Sequence, residues 1–303
     1  MKRITGVLMA LFFTLFLAGV ASAGPSRALI QEMGSTIAKD EVNIDLDIAS
    51  QGFNVASAND TTLGNGNATV GGTTVSSVNV SLIDDIELRI GRLPGFRSYL
   101  ALPAVSAVAL NPAGNNYGLT VKGAIPGVPG LAAWLGYGML SQSDIVNNTK
   151  TGDNSGSSLR LGAAYTWAGP VIVNVTGDYG LDSAKYGSGN NSYDKGAVTT
   201  MEAAAAVLYP VRPTLLLGVE LHYSQMSVGD DAGVAGDQKF TITALAPAIG
   251  ARAVAGNWTI DAVVALVGTS IKVDGSPALG STLQDTSTTT VVGVPTLRVN
   301  YKF

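Results

Sequence analysis

The 303-residue chain has no cysteine and one histidine. No disulfide scaffold and no thiolate chemistry is available to it, and a multi-histidine metal centre is excluded. Charged residues make up only 13 % of the chain, about half of what a soluble domain carries. A basic surplus is also missing. Setting aside Lys2 and Arg3, 16 Lys and Arg face 22 Asp and Glu, a formal charge of −6. That argues against a nucleic-acid partner, which needs a basic stripe. After the first 23 residues there is no run of 18 apolar residues, so no helical membrane span is expected.

The opening "MKRITGVLMALFFTLFLAGVASAG" is the apolar exception. Two basic residues precede a run from Val7 to Val20, which closes on Ala21-Ser22-Ala23. This reads as a signal peptide over residues 1–23, cleaved after Ala23, rather than an anchor. About 280 residues of low charge and high hydropathy then remain. Only helices and closed barrels satisfy every backbone group in lipid, so an exported apolar chain without a helical span points to a closed β-barrel.

What the chain does contain is period-two alternation. In "SLRLGAAYTW", Leu159, Leu161, Ala163, Tyr165 and Trp167 oppose Arg160, Gly162, Ala164 and Thr166. "VIVNVTGDY", "LLLGVELHY" and "WTIDAVVAL" behave alike. Such runs are strands with one apolar face. Nine residues at ~3.3 Å each, tilted by ~40°, rise ~23 Å, close to the ~25 Å apolar band of a membrane barrel. A β-sandwich alternates too, but it explains the low charge and the export less well.

Twelve strands are expected, near 41–50, 80–91, 96–107, 115–124, 130–141, 157–167, 170–180, 196–208, 213–224, 238–252, 257–272 and 288–303. A further hairpin around "ATVGGTTVSSVNV" would raise the count to fourteen. Short connections such as "RLPG", "IPGVP", "AG", "YPVRP" and "VAG" alternate with long polar ones such as "SQSDIVNNTKTGDNSGSS" and "SVGDDAGVAGDQ". The expected fold is therefore all-β, an antiparallel up-and-down transmembrane barrel over residues 41–303 with short periplasmic turns and long extracellular loops. Aromatic residues fall in two groups. Phe96, Trp167, Tyr209, Trp258 and Phe303 lie beside short turns or the C-terminus, and Tyr117, Tyr179, Tyr223 and Phe240 lie beside long loops. That places a girdle at each interface.

The chain ends "TLRVNYKF", with Leu297, Val299, Tyr301 and Phe303 on one face. This resembles the outer-membrane β-barrel proteins of Gram-negative bacteria, whose last strand alternates and ends on Phe. The resemblance implies an outer-membrane location, contact with lipid and lipopolysaccharide, and recognition of that strand by the barrel-assembly machinery. "NPAG" at Asn111 to Gly114 resembles an NPA-type motif of the long-chain fatty-acid transporter family. A polar turn explains it better, because that family carries the motif near its N-terminus.

By parity the lumen-facing residues are Asp45, Asp47, Glu87, Arg89, Lys122, Arg160, Asp178, Glu202, Glu220, His222, Asp261, Arg298 and Lys302. Unpaired charges in a dry interior cost several kcal/mol each, so these are either hydrated or networked. Small inward residues, among them Gly136, Gly162 and Gly218, are expected to leave space. Residues 24–40 precede the first strand as a periplasmic or luminal segment. Leu29 or Ile30, Met33 and Ile37 there recur at helical spacing behind Ser26, which suits a short helix as well as it suits a frayed tail.

Three functions fit. A narrow passive pore for small polar solutes or ions is favoured. The alternatives are a plugged transporter for a hydrophobic compound and a non-conducting structural or surface-binding barrel. Catalysis is not expected. Glu220 shares the face of His222, with Asp178, Asp230 and Asp231 within possible reach, but no G-x-S-x-G elbow is present. No cofactor and no metal is expected; the Asp-rich loops look like ordinary solvated loops. The oligomeric state is left open.

Overall fold

The computed structural model describes residues 27–49, 53–57, 73–95, 117–146, 149–188, 191–228, 239–274 and 288–303. The signal peptide expected over residues 1–23 lies outside them, as do Phe96, Asn111 to Gly114, Asp230, Asp231 and the strand expected over 96–107.

The described strands are β1 (Glu41–Ala49), β2 (Phe53–Ser57), β3 (Thr73–Ile83), β4 (Ile86–Arg92), β5 (Tyr117–Ala124), β6 (Leu131–Val146), β7 (Thr149–Ala168), β8 (Ile172–Ser188), β9 (Asn191–Arg212), β10 (Leu215–Val228), β11 (Lys239–Ala255), β12 (Trp258–Asp274) and β13 (Thr288–Lys302). Neighbours pair antiparallel in chain order from β3 to β13. β1 pairs with the C-terminal half of β13, from Asn43 opposite Lys302 to Ala49 opposite Thr296, and β2 pairs with its N-terminal half. β1 and β2 are thus two parts of one strand, and β1 also pairs with β3. The result is a closed barrel of twelve antiparallel strands, with no helix among the described residues.

Alternation sorts the side chains as a membrane requires. Leu135, Leu161, Val175, Val219, Leu221, Ile249 and Leu297 are exposed on the outside, while arginines and carboxylates are buried inside. This is the reverse of a soluble protein. Trp167, Tyr209, Trp258, Tyr179 and Tyr223 are also exposed on the outer face. Tyr117 and Phe240 occupy the loop ends of β5 and β11. At the closing seam Trp258 and Tyr301 have ring centroids 4.5 Å apart, and Phe303 lies edge-on to Tyr301 at 4.7 Å. The Phe303 amide donates to the Val42 carbonyl at 2.9 Å, which ties the last residue to the first strand.

Three expectations need correction. First, the segment expected as one strand over 80–91 is two, β3 and β4, joined by a tight turn at Asp84 and Asp85. Asp85 adopts φ 65°, a conformation Asp tolerates better than most residues. "RLPG" is consequently not a short turn between strands. Arg92 ends β4 at the loop end, and Leu93 and Pro94 are buried inside the barrel. Second, much of two expected long loops is strand: β6 and β7 pair as far as Val146 with Thr149, and β8 and β9 as far as Ser188 with Asn191. Backbone pairing continues there without an apolar face, because those rungs stand beyond the hydrocarbon band. Third, residues 27–38 form no helix.

Candidate functional site

The candidate site is the lumen, and residues 27–37 fill part of it. Ala28 and Leu29 are wholly buried, as are Ile30, Met33 and Ile37 nearly so. Arg27 and Glu32 pair across a short bridge, and the Ala28 amide donates to the Gln31 carbonyl at 2.8 Å. We call residues 27–37 the plug.

The plug is not helical because side chains of the wall take the backbone groups a helix would use. The Leu29 amide donates to Glu220 at 2.6 Å and the Ile30 amide to the same carboxylate at 3.1 Å. The Gly34 amide donates to Thr166 Oγ1 at 2.7 Å, and the Ile37 amide to Glu87 at 3.3 Å. Asn174 Nδ2 and Thr176 Oγ1 both donate to the Glu32 carbonyl at 2.8 Å, and Arg252 donates to the Ala28 carbonyl at 2.5 Å. Buried backbone groups need such partners, and here β4, β7, β8, β10 and β11 supply them. Gly34 passes so close to the wall that a Cβ there would overlap the Gly130 carbonyl oxygen, 1.7 Å away.

Apolar contacts hold the other side. Leu29, Ile30 and Met33 cluster with Leu208, Leu216, Ala246, Ala248 and Val263. Leu29 sits over Gly218 and Gly250, where an added Cβ would come within 2.7 Å and 3.0 Å of its Cδ1. The small inward residues expected to leave space instead receive large ones. Gly218 takes Leu29 and Leu208, Gly136 takes Leu93 and Pro94, and Gly162 takes the ring of Trp134.

The charges are networked. Asp45 accepts from Arg27, from Asn79 at 2.8 Å and from Asn300 at 2.7 Å. Glu32 accepts two hydrogen bonds from Arg89, at 2.6 and 3.0 Å, and one from Lys122 at 3.2 Å. Arg89 also bonds Glu87 at 3.1 Å. Arg252 grips Asp261 with two bonds, at 2.7 and 2.8 Å, and Arg298 adds a third at 3.3 Å. Arg160 lies 3.5 Å from Asp178 and 3.4 Å from Asp182, and Trp134 Nε1 donates to Asp178 at 2.8 Å. Burial alone would push the Glu32 carboxyl up. The charges of Arg89 and Lys122, the Arg89 hydrogen bond and then Arg27 outweigh it and hold Glu32 well below the usual carboxylate range.

The structure buries eleven of the thirteen expected lumen residues on the inside: Asp45, Glu87, Arg89, Lys122, Arg160, Asp178, Glu202, Glu220, His222, Asp261 and Arg298. Lys302 is part-exposed at the turn-end rim, on Glu41. Asp47 sits opposite Arg298 in the β1–β13 register. Sequence reasoning missed Arg27 and Glu32, which no strand parity reaches. It also missed Arg252 and Trp134, which parity with Gly250 and Gly136 does place inward. Glu220 Oε2 lies 2.8 Å from His222 Nε2, but the same carboxylate already carries two plug amides. Among the described residues no group of three His, Asp or Glu is placed to hold a metal.

Between the plug and Leu93–Gly95 is a cavity of about 30 Å³, lined by Ile30, Leu93, Trp134, Asp178, Glu202 and His222 among others. It has room for about two waters.

A closed antiparallel barrel with an apolar outer face, a charged interior and an aromatic-ended closing strand is a β-barrel of the bacterial outer-membrane type. No protein-family model matches the chain, and no curated protein matches it. Solved structures do. An outer-membrane channel of Pseudomonas putida F1 aligns with 13 % identity and a TM-score of 0.47, over 89 % of this chain and 97 % of that one. The toluene transporter TbuX of Ralstonia pickettii aligns with 12 % identity and a TM-score of 0.38, over 89 % and 91 %. OmpT, an outer-membrane protein of Vibrio cholerae, aligns with 13 % identity and a TM-score of 0.36, over 87 % and 97 %.

Proposed function

We propose that this barrel is a gated channel for small polar solutes, closed at rest by its own residues 27–37. The observation that carries the reading is the attachment of one short segment to wall side chains from eight strands, with its apolar residues seated on β9 to β12. A permanent filler would also need partners for its buried backbone groups; what favours a releasable one is that polar and charged wall side chains supply them here, rather than turns of the segment itself. A passage that opens does need contacts which the wall can re-form with water or solute. The abundance of charge on the wall favours polar cargo over a hydrophobic compound.

Around this reading, residues 1–23 export the chain and are removed. The closing strand with Leu297, Val299, Tyr301 and Phe303 engages the assembly machinery, and the outer face meets lipid and lipopolysaccharide. The Glu220–His222 pair positions the plug rather than performing catalysis.

The test is conductance in planar bilayers of the refolded full chain and of a variant lacking residues 27–37. Rare or small steps from the full chain, and steady large ones from the deletion, are expected. Silence from a deletion variant that retains the strand content of the full chain would overturn the channel reading in favour of a non-conducting barrel. Equal, steady conductance from both would overturn the gate.

A further inference from the structure

We propose that the plug occupies a zwitterion-binding site on the barrel wall, and that a small solute carrying both a cation and a carboxylate takes its place when the lumen opens. The inference rests on the gated-channel reading and names the cargo class.

The wall residues concerned are Asp45 on β1, Asn79 on β3, Arg89 on β4 and Lys122 on β5, four strands adjacent in the sheet. Asn79 links Asp45 to Arg89 within this row. Its Nδ2 donates to Asp45 at 2.8 Å, and its Oδ1 accepts from Arg89 Nε at 2.8 Å. A carboxylate and a guanidinium are therefore held one amide apart, with the ammonium of Lys122 beyond. With Glu87 included, the wall set of Asp45, Glu87, Arg89 and Lys122 sums to zero charge. The row is polarised from one end to the other.

The plug matches this polarity with a guanidinium and a carboxylate of its own. Arg27 bonds Asp45, and Glu32 takes Arg89 and Lys122. Arg27 Nε and Glu32 Oε1 lie 3.9 Å apart, so both charges are presented side by side. That is the charge layout of a small amino acid. Displacing the plug takes Arg27 from Asp45 and takes Glu32 from Arg89 and Lys122 at the same time. A simple ion answers one end only. A zwitterion of similar spacing answers both, with charge-assisted bonds in the same directions.

β-Alanine serves as the probe because it is zwitterionic and neutral overall, so it adds no current of its own. The refolded full chain is recorded in a planar bilayer with increasing β-alanine, and separately with acetate plus ethylammonium, which carry the same two charges on different molecules. A saturable rise in open probability with β-alanine, absent with the separated charges, is expected. Glu32→Gln leaves the wall row intact and loosens its occupant, so calorimetric binding of β-alanine is expected to tighten about tenfold or more, the scale of one charged hydrogen bond. Asp45→Asn is expected to weaken the response by a similar factor; retained strand content by circular dichroism guards against misfolding.

No response in the full chain and no binding to a Glu32→Gln variant that conducts would overturn the zwitterion site while leaving the gate standing. An equal response to acetate or ethylammonium alone would overturn it in favour of a single-ion site. Silence from both Glu32→Gln and the deletion of residues 27–37 would remove the channel reading, and this inference with it.

Discussion

Replacing Glu220 by alanine is expected to undock the plug while leaving the barrel intact. The Glu220 carboxylate accepts the amides of Leu29 at 2.6 Å and Ile30 at 3.1 Å. Hydrogen bonds to a charged acceptor contribute ~1.5–3 kcal/mol each, and an orphaned buried amide costs ~1–3 kcal/mol. Two of them weaken docking by roughly 3–5 kcal/mol, or about 10²- to 10⁴-fold in the ratio of docked to undocked states. The ladder of β10 is untouched, because the backbone at 220 stays paired with Ala206 and Ala248, and only the His222 side chain loses a partner. The assay is amide hydrogen exchange of Leu29 and Ile30, with β10 amides as the internal reference. Exchange at 29 and 30 is expected to accelerate by that factor while β10 is unchanged. Glu220→Gln keeps one acceptor oxygen and is expected to show a smaller effect. Unchanged exchange at 29 and 30 in the alanine variant would refute the reasoning.

Further outcomes follow from the same contacts. Leu29→Ala empties the space over Gly218 and Gly250, so a loss of ~2–5 kcal/mol in docking is expected, read by the same exchange experiment. Gly162→Ala places a Cβ 2.4 Å from the Trp134 ring, and a drop in thermal stability on the scale of ~1–3 kcal/mol is expected by calorimetry. Leu161→Arg sets a charge on the outer face opposite Tyr179 in the β7–β8 register, with an expected cost of ~1–3 kcal/mol in refolding titrations from urea into lipid. The pH dependence of conductance follows from Glu32. A carboxylate held low when docked stabilises docking fully above its free value of ~4.3, and that stability is lost only as pH falls through the docked value. The full chain is therefore expected to stay closed from neutral pH to about pH 4.3 and to open only in stronger acid; opening between pH 5 and 6 would contradict the Glu32 latch.

The central strands were legible because a lipid face imposes alternation. Leu159 to Trp167 and Leu215 to Tyr223 carry their parity on the surface of the sequence, and with it the inward direction of Arg160, Glu220 and His222. The loop-ward ends of β6 to β9 were not legible. Ser141 to Ser158 is mostly polar, so no period marks it as strand, yet the ladder runs on to Val146 and Thr149. The turn at Asp84 and Asp85 was hidden by apolar Ile83 and Ile86 on either side, which read as one alternating run. Trp134 was obscured by the expectation that aromatics face lipid. The plug was the least legible part. The spacing of Leu29, Met33 and Ile37 suits a helix, and nothing local reveals that Glu220, 191 residues further along, takes the amide of Leu29. Such partners emerge only when the barrel closes.

The central claim is that residues 27–37 lie docked in the lumen of the resting protein. The chain has no cysteine, so a single thiol is an unambiguous reporter. Ala28 is fully buried in the lumen, whereas the Asp84 side chain is 75 % exposed at the turn end. The measurement is the rate of modification of Ala28→Cys by a membrane-impermeant maleimide in the refolded barrel, against Asp84→Cys as the open reference. The account predicts that Cys at 28 reacts at least about a hundredfold more slowly, and catches up when Glu220 is also replaced by alanine, following the docking ratio above. Equal rates at 28 and 84 in the otherwise unaltered chain would contradict it.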